Sequence, residues 1–410
     1  MSKILDTTLR DGSYVIDFQF SSHDTAAIAA KLEFAGIEYI EIGHGLGLGA
    51  GKSSGMKSAE PDEAYLEAAS YTLSSSKWGM FFIPGIGSSK DIEMAAKYGM
   101  DFIRIGTNVT ETYGAETFIK QAKSLGLEVF ANFMKTYALP ADDVAELAEK
   151  AYGYGADHVC IVDSSGGMLP EEVESYIKAV KTRTGNSVGF HGHNNLGLAN
   201  SNSLTAINAG ASIVDSSIRG MGRGAGNAVT EMLVYSLKRK KIPTTINSLA
   251  LLDLAEKIID PLLRNYQQVD SIGIVSGYAH FHSAFLPTIL ENSEKYRIDP
   301  KELIIAVTRE DQINAPKDMV ERIAKDISNQ QKDKCPNSPS INLPPAIQNA
   351  PVDNELESAV KNIIDKTNSL SKKWGRKSVV NIVQDSRKNG ISTASPVIIE
   401  GERYIVSSIE

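Results

Sequence analysis

The sequence LPADDVAELAEKAYGYGADHVCIV, residues 139–162, contains one complete unit of the fold. Residues Ala141–Tyr152 carry apolar side chains at helical spacing, and the Pro-Ala-Asp-Asp start suits a helix N-terminus. Gly155 follows this stretch and suits a left-handed C-cap, and Asp157–Val162 (DHVCIV) is rich in β-branched and apolar residues. The stretch therefore predicts a helix, a glycine stop and a buried strand.

The same unit recurs through the first part of the chain. Short strand candidates lie at Lys3–Thr8, Ile37–Ile42, Trp78–Ile83, Asp101–Ile105, Leu127–Phe133, Asp157–Val162, Ser187–Phe190 and Ser212–Val214. Amphipathic stretches between them include Ser22–Phe34, Asp62–Ser74, Lys90–Tyr98, Ala115–Ser124, Ala141–Tyr152, Glu171–Thr182 and Leu198–Asn208. Strict alternation indicates parallel strands covered by helices, and eight units in about 240 residues favour an α/β fold of the (β/α)8 TIM-barrel type. A doubly wound sheet is the alternative, but no GxGxxG follows the first strand.

After the barrel the alternation ends. We expect four parts in the chain, namely a TIM-barrel catalytic domain at 1–245, a small helical domain at 246–330, a Pro/Asn/Ser-rich linker at 331–354 and a small α/β module of unknown role at 355–410. In the last part, Glu355–Trp374 is a helix candidate and two strand candidates form a hairpin around Gly401. A module of about 55 residues is marginal alone, so we expect it to dock or the chain to form a homo-oligomer.

Composition excludes several classes of protein. The 410 residues include 42 Lys plus Arg and 50 Asp plus Glu, a net charge of −8 that argues against nucleic-acid binding. Two cysteines exclude a disulfide framework or a Cys-based zinc site. No stretch approaches about 18 apolar residues, and the N-terminus lacks a signal-peptide pattern. We therefore expect a cytoplasmic protein that binds neither nucleic acid nor membrane.

The sharpest chemical feature is His191-Gly192-His193 at the end of the seventh strand candidate. Residues two apart in a strand point the same way, so both imidazoles should face one side. Two imidazoles and a carboxylate from another strand end make an open site for a divalent metal. Asp11, after the first strand, could supply that carboxylate. Two polar loop histidines and a simple Arg-Asp-Gly turn are the alternatives.

Other strand ends carry further candidates. Arg10 suits an oxyanion or enolate beside a metal, or else a salt bridge closing the barrel rim. Glu41 and His44 follow the second strand, where His44 could also serve in rim hydrogen bonding, and Ser164 follows the sixth. Asn227 lies in a Gly-rich turn after the eighth strand, which either approaches a ligand closely or is only a tight loop.

Several motifs together resemble one family. They are LDTTLRDGS (5–13), IEIGHGLGL (40–48), FIPGIGS (82–88), VDSSGGM (162–168), HGHNNLG (191–197), GMGRGAGNA (220–228) and SGYAHFHSAFL (276–286). They resemble the DRE-TIM metallolyase superfamily, which has an HMG-CoA lyase-like barrel, and within it the 4-hydroxy-2-oxovalerate aldolase family. The resemblance covers roughly residues 3–325, including the helical region after the barrel.

The resemblance implies a class II pyruvate aldolase that reversibly cleaves a 4-hydroxy-2-oxo acid into pyruvate and an aldehyde. By that resemblance Asp11, His191 and His193 would hold Mn²⁺, or Mg²⁺ or another divalent metal, with no organic cofactor and no Schiff-base lysine. Arg10 would stabilise the pyruvate enolate, and Ser164 would contact the carboxylate. The predicted substrate-binding residues are Arg10, Ser164, Glu41 and Asn227. The family's helical domain docks on an acylating aldehyde dehydrogenase, so such a partner is an open expectation here.

The proton-handling residues depart from the family pattern. The family usually has a histidine base where this chain has Tyr14, and a tyrosine where this chain has His282. A tyrosine at its reference pKa of ~10 is a poor base at neutral pH, whereas a histidine is well placed. We hypothesise that His282 takes over part of the proton transfer with Tyr14 as hydrogen-bonding partner, and His44 is a third candidate. The alternative is that Tyr14 only packs, His282 is a solvated polar residue, and another group or water is the base.

Two other functions stay open at the level of sequence. One is a Claisen-type condensation of an acyl-CoA with a 2-oxo acid, as in isopropylmalate synthase relatives, which also carry C-terminal extensions. The other is a non-catalytic scaffold that binds a 2-oxo acid. The similarity after the barrel favours the aldolase over the first, and the intact Arg10, Asp11, His191 and His193 favour an enzyme over the second.

Overall fold

The computed structural model describes residues 2–53, 55–263, 267–334, 380–384, 396–399 and 402–409. Eight parallel strands are hydrogen-bonded in chain order, and the pairing of the first with the eighth closes a barrel. The strands are β1 (Lys3–Asp6), β2 (Tyr39–Ile42), β3 (Lys77–Phe82), β4 (Phe102–Asn108), β5 (Glu128–Met134), β6 (His158–Asp163), β7 (Ser187–Gly192) and β8 (Ile213–Ser216). The predicted (β/α)8 barrel is confirmed, and each strand overlaps its sequence-based candidate.

Helices connect the strands and cover the barrel. The α-helices in the described part of the chain are α1 (Ser22–Phe34), α2 (Ala50–Ser53), α3 (Asp62–Thr72), α4 (Ser89–Lys97), α5 (Glu116–Ser124), α6 (Ala141–Tyr154), α7 (Pro170–Thr184), α8 (Ala199–Ala209), α9 (Thr230–Arg239), α10 (Ser248–Leu254), α11 (Ser271–Tyr278), α12 (Leu286–Tyr296), α13 (Pro300–Glu310) and α14 (Lys317–Lys334). Short 3₁₀ helices lie at Asp11–Ile16, Val109–Ala115, Thr136–Ala138, Ile218–Gly220, Asp260–Leu262 and Ser283–Phe285, and one π-helical turn at Ala255–Ile259. None of these helices combines the length and apolar character that a membrane span needs.

Local sequence explains where these helices begin and end. Helix α1 starts with a capping box, in which Ser21 Oγ accepts the Asp24 N–H at 3.1 Å and the Asp24 carboxylate accepts the Ser21 N–H at 2.9 Å. Helices α6 and α8 end at Gly155 (φ 110°) and Gly210 (φ 103°), in the left-handed conformation that glycine adopts without strain. The predicted glycine stops are therefore confirmed at these two positions.

Hydrophobic side chains of the described residues fill the N-terminal end of the barrel interior. At the N-terminal end of the strands the interior is filled by Leu5, Tyr39, Phe102, Phe130 and Ile213. A second, larger core lies between the strands and the surrounding helices. Above the filled layer the interior becomes polar, and the strands end in loops that carry charged side chains. The C-terminal ends of the strands, where the sites of barrels of this type lie, are therefore the place to look for a functional site.

The region after the barrel contains two kinds of packing. Leu251 and Leu254 of α10 belong to the same core as the barrel helices, whereas α11 to α14 enclose a core of their own that includes Phe281 and Ile304. Helix α11 lies within the region predicted to be helical, although SIGIVSGY mixes glycine and serine with β-branched residues, which are weak helix formers. The domain boundary predicted at residue 245 stays a prediction.

The chain divides into two compact units, residues 1–332 and 333–410. In the second unit, β9 (Val380–Gln384), β10 (Pro396–Ile399) and β11 (Glu402–Ile409) form an antiparallel sheet in the order β10-β11-β9. The pairing of β10 with β11 confirms the predicted hairpin. The predicted helix at 355–374, and the predicted linker from residue 335 onward, lie outside the described residues.

Candidate active site

A cavity of about 240 Å³ opens at the C-terminal ends of the strands. Its lining combines polar and charged groups with an apolar wall. The polar and charged lining residues are Arg10, Asp11, Tyr14, Asn108, Asn132, Lys135, Ser164, His191, His193, Arg223 and His282. The apolar lining residues include Leu46, Phe81, Ile83, Met134, Val162 and Phe285. Convergence of this many polar side chains on one concave, partly apolar surface is typical of a small-molecule site.

Three buried side chains in this cavity could hold a metal ion together. Asp11 follows β1, His191 lies in β7 and His193 follows β7, and their ligand atoms lie within 4.8 Å of one another. His191 Nδ1 lies 2.9 Å from an Asp215 carboxylate oxygen, and His193 Nδ1 lies 3.2 Å from the Gly226 carbonyl oxygen. These contacts fix both rings and direct each Nε2 toward the shared cation position, where His193 Nε2 now lies 2.9 Å from Arg223 Nη2.

Asp11 is held in its ionised form. Its Oδ1 accepts Arg10 Nη1 at 2.7 Å, and its Oδ2 accepts Asn227 Nδ2 at 2.9 Å and the Arg223 N–H at 3.2 Å. Burial alone would raise the pKa of the Asp11 carboxyl, but the charge of Arg10 holds it well below its usual range. The pKa of His193 is well below its ordinary value because the ring is buried and Arg223 is close by, so this imidazole is neutral.

A carboxylate and two imidazoles are the donors that a divalent first-row metal or Mg²⁺ accepts, with open positions left for substrate. A further buried oxygen lies beside them, since Asn227 Oδ1 has no hydrogen-bond partner in the described part of the chain. The residues present therefore fit a divalent cation.

Buried charges connect two of these candidate ligands through the barrel interior. Arg10 Nε donates to Glu41 Oε2 at 2.7 Å, and Arg104 Nη1 donates to the same oxygen at 3.1 Å. Arg104 Nη2 in turn donates to Asp215 Oδ2 at 2.5 Å, and that oxygen also contacts His191. We call this chain from Asp11 to His191 the interior charge network; its linking members are Arg10, Glu41, Arg104 and Asp215. Arg104 and Glu41 are 0% exposed, so neither charge is screened by water.

The structure brings only part of the predicted site to the cavity wall. Glu41 does not line the cavity and instead accepts a hydrogen bond from Arg10, which does. Asn227 likewise does not line the cavity and donates a hydrogen bond to Asp11. His44 is turned away, because Nδ1 accepts the Leu46 N–H at 3.0 Å and Nε2 lies 3.0 Å from the Met56 carbonyl oxygen. These contacts account for rim hydrogen bonding by His44, and its catalytic role stays a prediction.

Tyr14 and His282 both line the cavity. Burial raises the pKa of Tyr14 to about 12, so its hydroxyl keeps its proton at neutral pH. His282 Nδ1 accepts the Ala284 N–H at 3.2 Å, which places the proton of the neutral ring on Nε2. Burial and then Arg223 hold the pKa of His282 well below its ordinary value, so the ring is neutral at pH 7.

Two basic residues of the cavity were missed by the sequence reasoning. Lys135 follows β5, and its N–H donates to Ser164 Oγ at 2.9 Å. Arg223 lies in the Gly-rich turn after β8, and its Nη2 donates to the Ser164 carbonyl oxygen at 2.9 Å. Lys135 occupies a strand end, the same signal that identified Ser164. Arg223 lies in the motif GMGRGAGNA, in which only Asn227 was predicted as a site residue.

Comparison with known proteins agrees with this geometry. The fold and the buried triad define a (β/α)8-barrel protein with a candidate metal site at the C-terminal ends of its strands. The HMGL-like family model matches residues 2–258. The chain is 41% identical over 330 residues to a 4-hydroxy-2-oxovalerate aldolase of Carboxydothermus hydrogenoformans, covering 80% of this chain and 98% of the relative. A relative of the same name from Moorella thermoacetica is 39% identical, covering 78% of this chain and 95% of the relative. The chain therefore belongs to the HMGL-like family, that is, the DRE-TIM metallolyases, as its motifs indicated.

Solved structures show the same fold. The N-terminal domain of a putative aldolase from Bacteroides vulgatus superposes with a TM-score of 0.61 at 29% identity, covering 72% of this chain and 98% of that one. The carboxyl transferase domain of Rhizobium etli pyruvate carboxylase superposes with a TM-score of 0.65 at 16% identity, covering 80% of this chain and 60% of that one. The second similarity concerns the fold alone.

Proposed function

We propose that this protein is a divalent-metal-dependent pyruvate aldolase, a carbon–carbon lyase that cleaves a 4-hydroxy-2-oxo acid such as 4-hydroxy-2-oxovalerate into pyruvate and an aldehyde. One observation carries the proposal, namely the buried triad of Asp11, His191 and His193 with Arg10 beside it in a single cavity. The name shared by relatives that align over nearly their whole length supports the same reaction.

A divalent cation held by Asp11, His191 and His193 would supply Lewis-acid polarisation of the 2-oxo group. Arg10 is fixed by Asp11 and Glu41 on two sides and lies 4.8 Å from the Phe81 ring, so its guanidinium is oriented before substrate arrives. It faces the negative charge that develops on the substrate oxygen when the carbon–carbon bond breaks, and a fixed donor stabilises such charge without reorganisation.

Proton transfer at the C4 hydroxyl is assigned to Tyr14 and His282. Each presents a proton donor to the cavity in its resting state, Tyr14 because it is un-ionised and His282 because its Nδ1 is engaged by Ala284. To accept the substrate proton, the His282 ring must pass on its Nε2 proton or give up the contact with Ala284. The neutral Tyr14 hydroxyl would accept that Nε2 proton as it donates its own to C3 of the enolate, which must gain one proton to become pyruvate, so the proton taken from the C4 hydroxyl is accounted for.

Substitution of Asp11 tests the proposal. We expect Asp11→Asn to lower kcat/KM for pyruvate release from 4-hydroxy-2-oxovalerate on the order of 10³-fold, equivalent to about 4 kcal/mol, because it removes the only charged ligand of the triad. Pyruvate release and bound metal would be measured together, with Mn²⁺ and Mg²⁺ added separately. Asp142→Asn, an exposed change in the first turn of α6, is the matched control.

An Asp11→Asn protein with wild-type metal content and turnover would contradict the proposal. Supplying an acyl-CoA with a 2-oxo acid in the same assay tests the Claisen alternative, and binding of pyruvate without any turnover would favour the scaffold. Mn²⁺ as the resident ion, a homo-oligomeric state, a dehydrogenase partner and a cytoplasmic location stay predictions.

A further inference from the structure

Two cations in the cavity form no ion pair within the described residues, although Glu111 and Asp311 act on Lys135 from a distance. Lys135 and Arg223 both line the cavity, and no carboxylate of the described residues forms an ion pair with either. Lys135 Nζ donates to the Ile313 carbonyl oxygen and lies 5.1 Å from the centre of the Phe285 ring. The side chain is buried, and the backbone at this position has a φ of 56°, a left-handed conformation that costs a lysine free energy.

Arg223 likewise contacts only uncharged groups through its side chain. It donates to the Ser164 carbonyl oxygen and to Ser283 Oγ, and its Nη2 lies 2.9 Å from His193 Nε2. A cation held by His193 would take the place of that last contact. Burying a charge without an opposite charge is costly, so two such cations in one cavity indicate a ligand that carries negative charge.

The carboxylate of pyruvate does not account for both. Arg10, Asp11 and Glu41 carry one net negative charge between them. A divalent cation and one substrate carboxylate would bring that side of the site to neutrality. Lys135 and Arg223 therefore add two positive charges beyond what a neutral aldehyde and pyruvate require.

We propose that Lys135 and Arg223 bind an anionic group on the aldehyde half of the substrate, so that the aldehyde is a short one bearing a carboxylate or a phosphate. This inference rests on the proposed aldolase function. The apolar residues Ile83 and Phe285 share the cavity wall with these cations, and exclusion of water strengthens the attraction to an anion. The small cavity limits the aldehyde to a few carbon atoms.

Matched pairs of aldehydes test the inference in the direction of synthesis. In the first pair, pyruvate would be supplied with neutral pentanal or with the carboxylate 4-oxobutanoate. In the second pair, it would be supplied with neutral glycolaldehyde or with glycolaldehyde phosphate, and kcat/KM would be measured for each aldehyde. We expect the wild type to favour the anionic member of at least one pair by about tenfold or more, as a charge-assisted contact provides. A preference in the first pair indicates that the site binds a carboxylate, and a preference in the second pair indicates that it binds a phosphate.

In Lys135→Met the ratio of anionic to neutral kcat/KM should fall at least about tenfold, and Arg223→Gln should lower the same ratio. Lys178→Met, which removes an exposed lysine of α7, is the matched control and should keep the ratio. A wild type with no preference for either anionic aldehyde, or a Lys135→Met protein with the wild-type ratio, would overturn the inference.

A binding measurement separates this inference from the proposed function. Calorimetry would titrate acetate and inorganic phosphate into the full chain loaded with Mn²⁺ and oxalate, where oxalate stands in for the 2-oxo acid. We expect one of the two anions to bind the wild type and to bind Lys135→Met at least about tenfold more weakly. If the protein is an active aldolase but binds neither anion, the inference of an anion site is wrong and the proposed aldolase function stands. Anion binding without turnover of any aldehyde overturns the proposed function alone.

Discussion

The His282 imidazole combines a fixed tautomer with a position in the cavity wall. Because Nδ1 accepts the Ala284 N–H, the ring cannot take up a proton at Nε2 without first losing one. We expect His282→Ala to lower kcat for pyruvate release about 10²-fold, the usual contribution of a positioned proton-transfer group. His23→Ala at the exposed start of α1 is the control, measured in the same assay. Full turnover by His282→Ala would show that another group or water is the base.

Lys135 gives the proposed anion site a dependence on pH. Burial and then the charge of Arg223 lower the pKa of Lys135 to about 8. Above that pH the ammonium group loses its charge, so we expect kcat/KM for an anionic aldehyde to fall as pH rises through about 8. Lys135→Arg keeps its charge at these pH values and should shift the fall to higher pH. The same fall for the neutral aldehyde, or no shift in Lys135→Arg, would contradict this assignment.

At the scale of elements, strand β4 supplies the centre of the interior charge network. Arg104→Met would leave Glu41 and Asp215 without their shared partner in the barrel interior. Since Asp215 orients His191, we expect the affinity for Mn²⁺ to fall about 10–100-fold, the usual effect of losing a group that orients a ligand. Calorimetric titration of Mn²⁺ measures the effect, with Arg183→Met on the exposed surface of α7 as control.

Arg104→Lys sharpens that test, because it keeps the charge but has one donor atom for two carboxylates. It should recover part of the Mn²⁺ affinity that Arg104→Met loses. Wild-type affinity in Arg104→Met would show that Asp215 holds His191 without help from β4.

The elements of the barrel were predictable because each strand and each helix carries its own local signal. Helix α1 was predicted at its observed bounds, since its capping residues Ser21 and Asp24 and its apolar residues are all close together in the sequence. The clustering of Asp11 with His191 and His193 was predictable because the two histidines are close in sequence and strand ends meet at one rim. Arg104 was not, since its partners are 63 and 111 residues away and a lone charge in FIRIG gives no sign of them. A shared role for Lys135 and Arg223 could not be predicted either, because their two loops come together only in the folded barrel.

At the scale of the whole molecule, the barrel closes where β1 meets β8 and the start of α9. Asp6 lies at this seam, fully buried, with Oδ1 accepting the Thr8 N–H at 2.9 Å and Oδ2 accepting Thr230 Oγ1 at 3.3 Å. Burial raises the pKa of the Asp6 carboxyl to about 7. The folded chain therefore holds a proton there that the unfolded chain releases near pH 4.

The sign of the pH dependence follows from that difference. The contribution of Asp6 to stability is fully present below about pH 4 and is lost as pH rises to about 7, because the folded state must then bury a charge. The shift of about three pKa units corresponds to at most about 4 kcal/mol. Asp6→Asn stays neutral at every pH, and its amide can serve both hydrogen-bonding neighbours. We expect Asp6→Asn to be more stable than the wild type at pH 8, with the difference shrinking as pH falls to 5. Urea unfolding midpoints at the two pH values measure this difference in stability, with Asp142→Asn as the exposed control. An Asp6→Asn protein that is less stable than the wild type at pH 8 would show that the ionised carboxylate itself holds the seam closed.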